Sequence, residues 1–140
     1  MKPNQVSAER PRVAVFLHSG DYDRMHEGLS IAAAAVASGR HADLFFFWWA
    51  LERLAQDKLD EPDFVSPRED VVNRFETQNV PTLRSLLSFL RESGDCTVYA
   101  CTGSLAIVGL APSALEGKAQ FVGWSTILQL TAGVTDRFFL

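Results

Sequence analysis

Two cysteines and three histidines carry most of the nucleophilic and acid–base capacity of this 140-residue chain. Cys101 is the most informative of them. It closes the apolar run Val98-Tyr99-Ala100 and is followed at once by Thr102-Gly103-Ser104-Leu105, so a strand gives way to a helix at the sulfur. Amides at a helix start can point back at such a side chain, and the positive end of the helix favours the thiolate, which is the nucleophilic form. The same residue can equally be a small buried hydrophobe, the commonest condition of a free cysteine. Both readings stay open. Cys96 begins the same extended segment, which puts roughly 16 Å between the two sulfurs. A disulfide needs α-carbons within about 7 Å, so the pair forms no bridge within one chain, and Cys96 reads as structural.

His18, Ser19 and Gly20 follow the apolar run Val13–Leu17 and interrupt it with turn chemistry. His18 can act as a general base or as a donor to a sulfur anion near Cys101; it can also be a loop residue that bonds to backbone. Asp21 and Asp23 are sufficiently explained as capping residues of the helix that follows. Trp48 and Trp49, at the end of the aromatic run from Leu44, read either as core or subunit-interface residues or as a surface for stacking a ligand.

Several other chemistries are excluded by what the spacing lacks. The loop after Leu17 has neither Gly-x-Gly-x-x-Gly nor the Lys-Ser/Thr of a phosphate loop, and Asp21 and Asp23 would repel a phosphate there. Ile107 stands where a cysteine phosphatase has its arginine, six positions after Cys101. With His18, His26 and His41 scattered and no Cys-x-x-Cys, neither a zinc site nor a redox dithiol is legible, and no metal or cofactor is expected.

The elements that must position these residues alternate. A helix runs from Asp21 or Asp23 through Met25, Leu29 and Ile31–Ala37 and stops at Gly39, and Leu44–Trp49 reads as a central strand buried on both faces. Residues 56–81 are rich in Asp, Glu, Pro and Asn. Within them Ser66-Pro67-Arg68-Glu69 is a capping box for a helix to about Glu76, the remainder reading as a lid. Leu83, Leu86, Leu87 and Leu90 define an amphipathic helix ended by Gly94. There follow a strand over Thr97–Cys101, a helix over Thr102–Val108, a turn at Pro112–Leu115 and a strand at Gln120–Val122. A helix over Trp124–Thr131, stopped by Gly133, leads to a last strand over Val134–Leu140.

Such alternation predicts a three-layer α/β/α sandwich around a mostly parallel sheet of about five strands, one domain over residues 12–140 behind a flexible tail at 1–11. Ligands of such sheets bind beyond the carboxyl ends of the strands. That rule gathers His18, Ser19, Gly20, Trp48, Trp49, Cys101, Thr102, Gly103, Ser104, Gly123 and Trp124 along one edge.

Thirteen Lys and Arg against seventeen Asp and Glu give a net charge of −4 and no basic field for nucleic acid. The longest apolar runs, Ile31–Ala37 and Leu44–Leu51, are far short of the ~18 to 20 residues of a membrane span, and the first residues show no apolar signal core. A cytoplasmic location is the expectation.

The run Val13–Leu17 with its polar loop, the alanine-rich helix, the aromatic strand Leu44-Phe45-Phe46-Phe47-Trp48-Trp49 and, above all, Val98-Tyr99-Ala100-Cys101-Thr102-Gly103-Ser104 resemble the DsrE/DsrF-like proteins. The nearest branch is the DsrE2-type, peroxiredoxin-like one, and the resemblance covers nearly all of Arg12–Leu140. It implies the same three-layer fold and a homo-oligomer, trimeric or hexameric. It also implies a persulfide carried on Cys101 within a sulfur relay, with sulfur-donor and sulfur-acceptor proteins as partners. Two departures are the acidic character of Leu54–Pro81 and the lack of a hydrophobic hairpin of membrane length. The reading from a different class is a non-enzymatic oligomeric module that binds a small ligand or partner beside Trp48, Trp49 and Trp124. Peroxide reduction is disfavoured, because no resolving cysteine stands near Cys101.

Overall fold

The computed structural model describes residues 10–64 and 68–140, so residues 1–9 of the tail expected over 1–11 and the Ser66-Pro67 half of the capping box lie outside it. Five strands, β1 (Val13–Leu17), β2 (Ala42–Phe46), β3 (Cys96–Cys101), β4 (Gln120–Val122) and β5 (Asp136–Phe139), pair in the order β4-β3-β2-β1-β5, every pair parallel. All residues of β1 and β2 are buried, which is why their sequences run apolar without alternation, Asp43 of β2 apart.

Among the described residues six α-helices join them: α1 (Tyr22–Ala37), α2 (Trp48–Ala55), α3 (Glu69–Thr77), α4 (Leu83–Ser93), α5 (Thr102–Ile107) and α6 (Trp124–Leu130). Val13, Val15, Leu17, Leu44 and Phe46 turn to one face, where they bury Met25 and Leu29 of α1, Leu51 and Leu54 of α2, and Leu83, Leu87 and Leu90 of α4. Ala14, Phe16, Phe45, Tyr99 and Cys101 turn to the other, packed with Ile127 of α6. Handedness explains this division. The connections β1 to β2, β2 to β3 and β3 to β4 all step the same way across the sheet, whereas β4 to β5 returns across its whole width. A right-handed crossover in the reverse direction must lie on the opposite face. The third layer of the expected sandwich is therefore a single helix of seven residues.

In-register pairing sets Phe139, Phe16, Phe45 and Tyr99 side by side on that second face. Their rings stack with centroids 4.4, 5.0 and 4.9 Å apart and planes within 14°. Offset aromatic pairs of this kind add roughly 0.5–1.5 kcal/mol each beyond the area they bury.

Most element ends follow the residues that mark them. Gly39 and Gly94 take the left-handed conformation at φ 83° and 75°, and Thr82 caps α4 by accepting from the Ser85 amide at 3.1 Å. Two expectations are corrected. β2 ends at Phe46; Phe47 is extended, and α2 begins at Trp48, so the two tryptophans open a helix rather than close a strand. The reason is burial: an immediate turn lets Ala50, Leu51 and Leu54 return to the sheet. It forces Trp48 to φ 43°, an uncommon backbone state for a bulky residue. Asp21 occupies the N-cap of α1 but its side chain caps nothing, while Asp23 Oδ1 accepts from the neighbouring Arg24 amide at 2.9 Å.

Among the described residues no helix is long and apolar enough to cross a membrane.

Candidate functional site

β3 and β4 are neighbours whose following helices, α5 and α6, pack on opposite faces, and such a pair leaves a crevice beyond its carboxyl ends. A cavity of about 520 Å³ opens there. The end of β1 contributes Phe16, His18 and Ser19; the segment after β2 contributes Phe47 and Trp48; β3 and α5 contribute Cys101, Gly103, Ser104 and Ile107. Trp124 of α6, Phe139 and Leu140 of the β5 end, and Arg24 of α1 close the rim. The lining is mainly aromatic.

Several contacts hold these walls in place. The amides of His18 and Ser19 donate to the Leu140 carbonyl at 2.7 and 3.2 Å, which ties the β1 loop to β5. Ala50 N donates to the His18 carbonyl at 3.1 Å, which ties the same loop to α2. Trp124 stacks on Phe47 at 5.2 Å, and the His18 ring leans on Trp48 at 5.9 Å. Arg53 of α2, almost fully buried, donates to the Gly20 carbonyl at 2.7 Å and the Glu61 carbonyl at 2.5 Å and pairs with Asp63. It anchors the acidic segment on the far side of that loop.

Cys101 is 4% exposed and its sulfur forms part of the cavity wall. A β-carbon added at Gly103 would lie 3.8 Å from Sγ, so the glycine leaves the space over the sulfur clear. Cys96 sits at the opposite end of β3. Burial, reinforced by the negative charge of Asp43 and only partly offset by Arg91, pushes its thiol up to about 12.

Seven of the residues singled out in the sequence thus meet at one cavity: His18, Ser19, Trp48, Cys101, Gly103, Ser104 and Trp124. Three do not. A β-carbon at Gly20 would lie 3.0 Å from the Trp49 carbonyl oxygen, so this glycine permits a close approach of two segments. Trp49 is half exposed outside the cavity. Thr102 donates to the Val122 carbonyl at 3.4 Å and ties α5 to β4. Ser19 is at the cavity, and its hydroxyl accepts from the Asp21 amide at 3.0 Å, a turn bond that holds the loop just ahead of α1. None of the described residues in 56–81 reaches the cavity, so the described part of that segment forms no lid over it.

Arg24 and the rings Phe16, Phe47 and Phe139 were not among the sequence candidates. The rings could have been found by carrying the period-2 alternation of each strand to its carboxyl end. Nothing in the pattern marks Arg24, which reads as one more charge on a solvated helix face. Among the described residues no three His, Cys, Asp or Glu side chains converge where a metal ion could sit.

Fold and cavity together define an α/β protein with a thiol in the wall of a pocket at the carboxyl edge of a parallel sheet. No family model and no curated protein matches the chain. Among solved structures, the crystal structure of the ychN protein from E. coli is similar over 94% of this chain and 100% of that one, with a TM-score of 0.64 and 12% sequence identity. At that identity the likeness is one of fold, and the fold is the DsrE-like one.

Proposed function

We propose that the chain is a sulfur-relay protein of the DsrE2 type that holds sulfur as a persulfide on Cys101. The observation that carries this reading is the sulfur of Cys101 in the wall of an open cavity at the edge where parallel sheets bind ligands. In the loading step the Cys101 thiolate attacks the outer sulfur of a donor persulfide. The donor's S–S bond breaks, its thiolate leaves with the electron pair, and the proton stays on the transferred sulfur. An acceptor thiolate then attacks that sulfur and Cys101 leaves as thiolate, so no oxidant is consumed. His18, on the same wall, donates to the sulfur that becomes anionic. Cys96, held protonated, takes no part.

Sulfur-donor and sulfur-acceptor proteins are the relay partners of this reading, and a second copy of the chain is another. Ile107, Trp124, Leu128 and Phe139 are each more than half exposed, the kind of apolar surface a homo-oligomer covers. Light scattering at micromolar concentration tests the assembly, and a monomer counts against it. The relay itself is tested by incubation with a persulfide donor and peptide mass analysis. Cys101 gains one sulfur and Cys96 none; sulfur on Cys96 alone overturns the assignment.

The aromatic lining favours one other reading, a module that binds a small apolar ligand with Cys101 as inert wall. Ligand binding that survives Cys101→Ala while no sulfur is ever retained selects it.

A further inference from the structure

The inference rests on the relay reading and concerns the molecule that brings the sulfur. Cys101 is 4% exposed in the cavity wall, so what meets it is a group narrow enough to enter the cavity, a small molecule or an extended segment of a partner, rather than a broad folded surface. A volume of about 520 Å³ is in the range that encloses a small organic molecule. The rings of Phe16, Phe47, Trp48 and Trp124 offer an inorganic polysulfide dianion nothing in place of its water.

One lining side chain carries a permanent charge. Arg24 stands in the first turn of α1 at the rim, exposed, and takes part in none of the ion pairs found among the described residues. Among the described residues no Asp or Glu side chain lines the cavity, and the adjacent Asp23 bonds to the Arg24 amide rather than to its guanidinium. A guanidinium presents a planar fork that matches a carboxylate. We propose that the sulfur donor is a low-molecular-weight organic persulfide with an aromatic or otherwise apolar body and a carboxylate. The carboxylate rests on Arg24, the body lies between Trp48 and Trp124, and the outer sulfur meets Cys101 Sγ. Transfer is the exchange described above, with the carboxylated thiolate as the leaving group.

Two aromatic disulfides of similar shape test it in a Cys96→Ala background, where Cys101 is the sole thiol. Dithiobis(nitrobenzoate) carries a carboxylate on each ring; dithiodipyridine is neutral. With either, the Cys101 thiolate forms a mixed disulfide and releases one coloured thiol. Arg24→Gln lowers the rate constant for the carboxylated reagent about fivefold, the size of one exposed charge-assisted bond, and leaves the neutral one within about twofold. Arg24→Lys recovers part of the loss, and added salt erodes only the carboxylated reaction. Equal loss for both reagents, no loss for either, or no reaction with either overturns the proposal. A separate arm loads the protein from an aromatic carboxylated persulfide and from inorganic tetrasulfide, read by mass. Loading from tetrasulfide alone, indifferent to Arg24, keeps the relay and overturns this inference. Arg24-dependent disulfide exchange without retained sulfur keeps the carboxylate recognition and overturns the relay.

Discussion

At the amino end of the sheet Asp43 is fully buried on β2, and every oxygen it has is taken. Arg12 donates to its two oxygens at 2.7 and 3.0 Å, and His41 Nε2 lies 3.2 Å from Oδ1 and 3.1 Å from Thr97 Oγ1. At the carboxyl end Cys101, His18 and Arg24 face a cavity instead. Both ends hold charge or reactivity against an apolar sheet, and the difference lies in what completes their bonding. A carboxylate withdrawn from water needs its partners built into the protein, and Asp43 has them. Groups left facing a volume keep their bonding capacity for a ligand. β3 shows the contrast within one strand, since Cys96 is silenced beside Asp43 while Cys101 stands where a molecule can enter.

Phe16→Ala is expected to have the largest effect, because its ring belongs to the stack across the sheet and to the cavity wall alike. Truncating a buried phenylalanine costs about 3–5 kcal/mol, read by urea denaturation, and Cys101 alkylation rises in the same variant. Arg12→Ala separates the two ends. It leaves Asp43 buried with His41 as its remaining side-chain partner and costs about 3 kcal/mol, while the alkylation rate of Cys101 in the folded protein stays unchanged. A shift in that rate would break the comparison.

Alkaline titration isolates Cys96. Its folded pKa is raised above the unfolded value, so the unfolded state loses its proton first as pH rises past about 9, and stability declines between there and about 12. The buried hydroxyls of Tyr22 and Tyr99, also pushed up by burial, add to the fall. Cys96→Ala makes the decline shallower in denaturation curves at stepped pH; an unchanged slope removes Cys96 from the account. Gly103→Ala is the smallest. An alanine within α5 raises stability by about 0.5–1 kcal/mol, yet its methyl over Sγ slows alkylation of Cys101, so the two readouts move in opposite directions.

Much of this architecture is legible in the residues. The apolar runs Val13–Leu17 of β1 and Val98–Cys101 of β3 mark buried parallel strands, and glycines able to take positive φ mark the ends of α1 and α4. The aromatic run after Leu44 misleads because Phe46, Phe47 and Trp48 suit a strand equally well. Only the need to bury Leu51 and Leu54 turns the chain there, and that is a tertiary demand invisible in a local window. The rule of carboxyl-end binding gathers Cys101, His18 and Trp124 before any coordinates exist. Arg24 escapes it, since its role depends on which way α1 leaves β1. The thinness of the second layer follows from strand order, which propensity does not encode.

The pairing of β1 with β5, Val13 opposite Asp136, has the greatest separation along the chain of any strand pair in the sheet. Contacts that close so long a loop form late, after the locally connected β1, β2 and β3 have assembled. β5 is also an edge strand with three of its four residues exposed, the kind of segment that detaches at a fraction of the global unfolding free energy. When it detaches, the amides of His18 and Ser19 lose the Leu140 carbonyl and the cavity loses the Phe139 wall. Amide exchange at those two residues therefore reports the breathing of β5.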